Sequence, residues 1–246
     1  MISESMEISK NIFLVSTALW MKEESVLIIN DLHLGYEEAL QRKGVLVPKF
    51  QLQEILKQIT EILRKTQAKK IIINGDLKHE FGKVLRQEWT EVGLFVDFLQ
   101  KKGKEIIIIQ GNHDPLLRSI SEKKGVQIVK EYVVGDTLIV HGDELVKSSA
   151  KRIIIGHEHP AITLREGSKR EKYKCFLKGK YEGKELIAVP SFNPLLEGTD
   201  ILKEQLLSPF LHNIENFEIF VVGKEEVLPF GKVMKMLESV SPRPKG

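Results

Sequence analysis

Ile106-Ile107-Ile108-Ile109-Gln110-Gly111-Asn112-His113-Asp114 is the stretch on which the reading of the fold turns. Four consecutive β-branched residues make a strand that is apolar on both faces, as strands inside an α/β sheet are. A glycine then turns the chain straight into an amide, an imidazole and a carboxylate, a set that core packing does not call for. The same pattern occurs four more times. Val26-Leu27-Ile28-Ile29-Asn30 leads into Asp31-Leu32-His33, and Ile71-Ile72-Ile73-Asn74 into Gly75-Asp76. Leu138-Ile139-Val140 leads into His141-Gly142-Asp143, and Ile153-Ile154-Ile155 into Gly156-His157-Glu158-His159. Ligands of open α/β sheets bind beyond the carboxyl ends of the strands, so these five endings point to one pocket. A histidine taken singly is usually a satisfied core or surface group, but five of the seven here end apolar strands.

The segments between the blocks supply the crossovers. After Pro48, a residue suited to a helix start, Leu52, Ile55, Leu56, Ile59, Ile62 and Leu63 repeat with helical period. A second helix is predicted from about residue 84 to 102, with Leu85, Trp89, Val92, Val96 and Leu99 on one face and Gly103 as its C-cap. Each leads into the next strand and closes a βαβ unit. Residues 11 to 20 and 26 to 30 read as two strands, and Leu116 to Lys123 as a short helix after Pro115. From there the pattern changes to closely spaced strands, at about 126–134, 137–141, 152–156, 161–165, 173–181 and 185–190. The expected architecture is therefore α/β (α+β): a four-layer α-β-β-α sandwich, two mixed sheets face to face with helices outside. A strand at 217–222 and a helix at about 233–237 complete a single domain over 1–240, and 241–246 reads as a flexible tail.

Composition narrows the class. A net charge of +3 is too weak to announce nucleic acid by itself, and no apolar run approaches the roughly 18 residues of a membrane span. No membrane partner is expected. The short apolar run from Ile12 to Trp20 has no basic leader or cleavage site before it, so we read the chain as cytoplasmic. The single cysteine, Cys175, rules out an internal disulfide and, beside Phe176 and Leu177, reads as a buried structural thiol. The weight of Ile, Lys and Glu leans toward a thermophilic source. The run from Arg165 to Lys174 alternates in sign and reads as a solvated hairpin rather than a nucleic-acid patch.

With Asp31-x-His33, Gly75-Asp76, Gly111-Asn112-His113-Asp114, His141 and Gly156-His157-x-His159 in that order, the chain resembles the calcineurin-like metallophosphoesterases. None of these blocks is specific alone. In finer detail, Asp31-Leu-His-Leu-Gly35, Gly75-Asp-Leu-Lys-His79 and Ser191-Phe-Asn-Pro194 are similar to a prokaryotic branch that includes archaeal and DNA-ligase-associated phosphoesterases. The resemblance implies two divalent transition-metal ions, manganese first, with Fe, Zn, Ni or Co as the others. Asp31, His33 and His159 would hold one ion, Asn112, His141 and His157 the second, and Asp76 would bridge them. Mixed carboxylate and imidazole donors suit such metals, and the absence of thiolates argues against a structural zinc site.

The same resemblance leaves His113 unligated, to contact phosphate or protonate the leaving oxygen, with Asp114 orienting its imidazole. Asn112 is a second substrate contact by this reading. His79 stands equally between substrate contact and plain surface exposure. Arg42 follows the Asp31 block closely enough to reach phosphate, with a solvated helix end as the other reading. Asp143 and Glu158 read as supporting or solvated groups rather than ligands. The expected activity is phosphodiester hydrolysis by a metal-activated hydroxide, acting on nucleic acid or nucleotides. The alternatives are a phosphomonoesterase or small-nucleotide phosphatase, and a non-catalytic protein-binding scaffold, which would have no reason to keep His113 beside a full ligand set.

Overall fold

The computed structural model describes residues 5–80, 86–114, 117, 122–224 and 226–240. The isoleucine run forms β6 (Glu105–Ile109), flanked on both sides by parallel strands, β5 (Lys70–Asn74) and β7 (Gln127–Val129). Alternation divides its side chains between two cores. Ile106 and Ile108 face the helices α2 (Gln51–Thr66) and α3 (Arg86–Lys101), packing with Ile55, Ile59, Val92 and Phe95. Ile107 and Ile109 face inward onto Ile139, Ile154, Phe176 and Ile187 of the opposite sheet. Burying each isoleucine contributes roughly 1.5–3 kcal/mol. The strand is thus fixed from both faces, and the loop after it starts from a rigid point.

The first sheet has seven strands in chain order: β1 (Met6–Ser9), β2 (Ile12–Val15), β3 (Ala18–Met21), β4 (Val26–Asn30), then β5, β6 and β7. It is antiparallel up to β4 and parallel from there. The second runs β14 (Thr199–Asp200), β11 (Pro160–Glu166), β12 (Lys169–Tyr181), β13 (Lys184–Ala188), β10 (Arg152–Ile155), β9 (Thr137–Val140) and β8 (Glu131–Val134). On β12 it also carries β15 (Glu218–Val222), which pairs with β16 (Val227–Lys232). β9, β10 and β13 are mutually parallel and the rest is largely antiparallel, so both sheets are mixed. The architecture is the expected pair of facing sheets.

Among the details that differ from the sequence reading, β1, β16 and α1 (Tyr36–Arg42) were not expected, and β12 begins at Lys169 rather than 173. The strand expected at 11–20 is broken into β2 and β3 by a tight turn in which Ser16 takes φ 56°. The strand expected at 126–134 is two strands parted at Lys130: β7 joins the first sheet and β8 the second. The outer layer on the second sheet is thin, because beyond Pro194 no long amphipathic period exists. Its core, with Leu138, Ile153, Ile155 and Leu177, is closed by Phe210, Leu211 and Val233, the last from the short helix α4 (Val233–Val240). Cys175 is buried in that core. Most of the short helix expected at 116–123, Leu85 and the tail 241–246 lie outside the described residues. Among the described residues, no helix is long and apolar enough to cross a membrane.

Candidate metal centre

β4, β5 and β6 run parallel, as do β9 and β10, so their carboxyl ends deliver Asp31, Asp76, Asn112, His141 and His157 to one edge of the sandwich. The loops there are strained. Asp31, His33, Asp76, His157 and His159 all take left-handed backbone angles, with φ between 42° and 61°. A non-glycine residue held that way costs roughly 1–2 kcal/mol, and such strain clusters where a site demands it. Backbone bonds between loops hold the geometry: His33 N–H donates to the Asp76 carbonyl (2.8 Å), Gly156 N–H to the His141 carbonyl (2.8 Å), and Phe192 N–H to the Asn30 carbonyl (2.7 Å). Gly111 has no room for a side chain, since a Cβ there would run into the backbone nitrogen and carboxylate of Asp76.

Two sets of ligand-type atoms lie within 4.8 Å of one another: Asp31, His33, Asp76 and His159, and Asp76, His141 and His157. Asp76 is common to both. Its Oδ2 stands 3.6 Å from His33 Nε2 and 3.5 Å from His141 Nε2. Asp31 Oδ2 lies 3.5 Å from His159 Nε2. Ring nitrogens converge in pairs: His33 Nε2 is 3.4 Å from His159 Nε2, and His157 Nδ1 is 3.2 Å from His141 Nε2. Asn112 Oδ1 is 2.9 Å from His141 Nε2, at the exposed mouth. A third set brings His79 and His113 to His33.

The electrostatics fit divalent cations. Burial, then the charges of Asp31 and Asp114, pushes the Asp76 carboxyl up to about 9. Burial also lowers the imidazoles: His141 to about 4, and His33 well below its ordinary value with help from the neighbouring His159 and His113. Neutral imidazoles are the form that binds metal. Two carboxylates buried at 0% and 2% exposure face each other through these rings, an arrangement that cationic charge relieves. Among the described residues the buried His141 Nδ1 has no hydrogen-bond partner; it stands 3.5 Å from Asp31 Oδ1. All donors are nitrogen or oxygen.

The remaining site residues sort unevenly. His113 is near the cluster, its Nε2 3.8 Å from Asp76 Oδ2 and its backbone N–H donating to Asp76 Oδ1 (2.9 Å). Asp114 does not orient it. The Asp114 carboxylate accepts backbone N–H bonds from Leu77 (3.1 Å), Lys78 (3.3 Å) and Gly111 (3.2 Å), tying two loops together. The carbonyl of His79 takes over the expected role, receiving His113 Nδ1. His79 itself is drawn inside, with Nδ1 3.4 Å from His33 Nδ1 and its ring against that of Tyr36 at 4.8 Å between centroids. Arg42 does not join the cluster; it ends α1 (Tyr36–Arg42) in an i,i+4 pair with Glu38 at 2.7 Å, the solvated helix end.

Of the residues that support the site, Gln51 and Glu37 were not singled out from sequence. Gln51, at the buried start of α2, donates to the carbonyls of Leu32 (3.2 Å) and His33 (2.8 Å). Glu37 in turn accepts the backbone N–H groups of Phe50 and Gln51 at 2.6 Å each. Gln51 lies four residues before Ile55, so the helical period itself marked it as inward-facing. Ser191 Oγ donates to the Asp31 carbonyl at 2.7 Å, and Lys174 Nζ donates to the carbonyls of Ser191 and Asn193. Glu158 accepts from the N–H groups of Leu207 (2.7 Å) and Ser208 (2.8 Å), a supporting role.

Comparison with known proteins places this geometry. A sequence-family profile described as "Calcineurin-like phosphoesterase" matches residues 25–223. No curated protein matches the chain. Among solved structures, the nuclease MPE of Pseudomonas putida superposes with a TM-score of 0.68 at 19% identity, covering 92% of this chain and 99% of that one. The phosphoesterase Yfce of E. coli gives 0.41 at 14% identity, covering 82% and 95%. At 19% identity the likeness to the Pseudomonas putida protein speaks to the fold alone.

Proposed function

Since the chain belongs to the calcineurin-like phosphoesterase family, we propose that it is a metal-dependent hydrolase of phosphodiester bonds, with nucleic acid or nucleotides as its substrate class. The observation that carries this reading is Asp76, buried and shared by two groups of nitrogen and oxygen donors, beside an imidazole that belongs to neither. Asp31, His33 and His159 with Asp76 would hold one ion, and His141, His157 and Asn112 with Asp76 the other, manganese first. Bound there, divalent ions supply positive charge to phosphate oxygens and a nucleophile from water at neutral pH.

The protein's own groups do the rest. His113 Nδ1–H donates to the His79 carbonyl, which directs Nε2 toward the cluster. Burial holds this imidazole near 4 in the free protein, and an arriving phosphate anion raises it again, since a nearby opposite charge favours the imidazolium. Nε2 is then the group that delivers a proton to a poor alkoxide leaving group. That assistance favours a diesterase over a monoesterase, and a nucleic-acid substrate agrees with the narrower resemblance to the ligase-associated branch. His79, alongside, is the second candidate for contact with the substrate; Asn112 at the mouth is the third.

The test pairs metal content with substrate choice. After reconstitution with Mn2+, elemental analysis should find two ions per chain, and bis-p-nitrophenyl phosphate should be cleaved faster than p-nitrophenyl phosphate. One ion at saturation, or a wide preference for the monoester, would remove this reading in favour of a single-ion site or a phosphatase.

A further inference from the structure

β12 does not stop where its sheet stops. Its partners β13 and β15 accompany it only to Leu177 and Cys175, and from Lys174 to Lys169 it pairs with β11 alone. Ile155, the last residue before the His157 loop, is level with Ala188, which pairs with Leu177. The β11–β12 hairpin therefore runs on past the edge that carries the candidate metal centre, by about 17 Å at 3.3–3.4 Å per residue.

Alternation decides which way the overhang faces. Phe176 lies between the sheets, whereas Cys175 and Leu177 lie in the outer core. Lys174, Lys172 and Arg170 continue the inner face, and their register partners Ala161, Thr163 and Arg165 share it. The contacts agree. Lys174 holds the carbonyls of Ser191 and Asn193, next to Asp31 and His33. Lys172 donates to the Gly198 carbonyl (3.1 Å) and pairs with Glu204 at 3.0 Å. The sign alternation along the sequence is thus resolved by face: Glu171 turns outward and pairs with Lys169 at 3.1 Å, while the inner row carries Lys172, Arg170 and Arg165 and no carboxylate.

The row ends in Arg165 and Arg170, directly opposite each other. Like charges so placed destabilise a hairpin. Both side chains are exposed, and neither makes an ion pair among the described residues. A cavity of about 550 Å3 next to them has its apolar wall, Leu164, Leu202 and Phe230, on the side of the outer core, so the two guanidinium groups stand at its rim.

We infer that Arg165 and Arg170 form a phosphate-binding station for a nucleic-acid strand that reaches from the candidate metal centre along the inner face of the hairpin. The inference rests on the phosphodiester reading and deepens it to a polymer. Guanidinium forks match phosphate oxygens bidentately, and an anion between them converts repulsion into attraction. A mononucleotide is too short to occupy both the centre and the station, while a chain of phosphates spans them.

The experiment measures the affinity of full-length protein for a fluorescein-labelled single-stranded oligonucleotide by anisotropy in EDTA, across a salt series. The double variant R165E/R170E should bind about tenfold or more weakly, with the salt slope smaller by about two. R165Q/R170Q should move in the same direction by less. K57E/R64E, an equal charge change on the exposed face of α2, should bind like the unmodified chain. Equal affinity for R165E/R170E and wild type, or an equal loss in K57E/R64E, overturns the station. The parent reading is judged separately, on Mn2+-dependent hydrolysis of bis-p-nitrophenyl phosphate by the wild type. Binding through the arginines without hydrolysis sinks the diesterase and keeps the station; hydrolysis with arginine-independent binding does the reverse.

Discussion

His113 and Asp114 are adjacent in the chain, yet the fold gives them different work. The imidazole stands at the cluster, with Nδ1 fixed by the His79 carbonyl; the carboxylate lies buried behind it and accepts three backbone N–H bonds. Removing the imidazole in His113→Ala should leave the metal content intact and lower kcat by about 10²–10⁴, the range a general acid supplies. The loss should be larger for an alkyl diester than for a nitrophenyl diester, whose leaving group departs without a proton. Loss of an ion along with activity would reassign His113 as a ligand. Asp114→Asn should behave differently, costing roughly 1–3 kcal/mol of stability through imperfect pairing of three buried donors. Its folded, metal-loaded fraction should keep most of its turnover, and a collapse of kcat at full metal occupancy would restore the orienting role. The contrast shows what was legible. Residue types and order marked one pocket of Asp, Asn and His side chains, because each block ends an apolar strand; the division into two ligand groups with His113 apart came from the family resemblance. The direction of the Asp114 side chain, one residue further along a loop, follows from contacts with Leu77 and Lys78 that no local pattern encodes.

At the scale of elements, the same division holds between local pattern and distant pairing. The runs at 26–30, 71–74, 106–109, 138–140 and 153–155 were readable because burial on both faces leaves an unbroken apolar signature. The split of 126–134 between two sheets was not, since β7 and β8 share one apolar pattern and differ only in their partners. Nor did the spacing of charges along the β11–β12 hairpin reveal that its cations gather on one face, because register had first to be known. The start of α2 shows how an element can serve the site without touching it. Gln51 fastens the Leu32 and His33 carbonyls from a fully buried position, holding a strained loop from behind. Gln51→Leu should keep the helix and its packing but weaken metal binding by about 10- to 100-fold, the usual effect of losing a group that orients ligands. Mn2+ titration followed calorimetrically measures this. An unchanged affinity would mean that the His33 loop holds its shape without the amide.

For the whole molecule, the buried ionisable groups make stability, pH and metal a single linked system. Burial holds His33, His79, His113, His141 and His157 below their ordinary values, so below about pH 6.5 the unfolded chain takes up protons that the folded chain refuses. Asp76, Asp114 and Glu91, held high by burial, act in the opposite sense over that range, but there are three of them against five imidazoles. The metal-free protein should therefore lose stability as pH falls from 6.5 toward 4. Above pH 7 two groups oppose each other. Asp76 is protonated in the metal-free fold up to about 9 and ionised in the unfolded chain, which makes stability fall with pH. Lys174, lowered to about 7 by burial, is neutral when folded and charged when unfolded, which makes stability rise. Their slopes offset, and the metal-free melting curve should be nearly flat from pH 7 to 9. Metal breaks the balance, because a carboxylate must be ionised to act as a ligand. Loading should release about one proton per chain near pH 7.5, and the stability gained from Mn2+ should grow by about 1.4 kcal/mol per pH unit until about pH 9. Chemical denaturation of EDTA-treated and Mn2+-loaded protein at pH 7, 8 and 9 tests the stability gain, and calorimetry in two buffers of different ionisation enthalpy counts the proton. A metal increment that stays constant over these two pH units, with no proton released, would mean that Asp76 is already ionised in the metal-free fold and that its burial beside Asp31 is relieved by another cation.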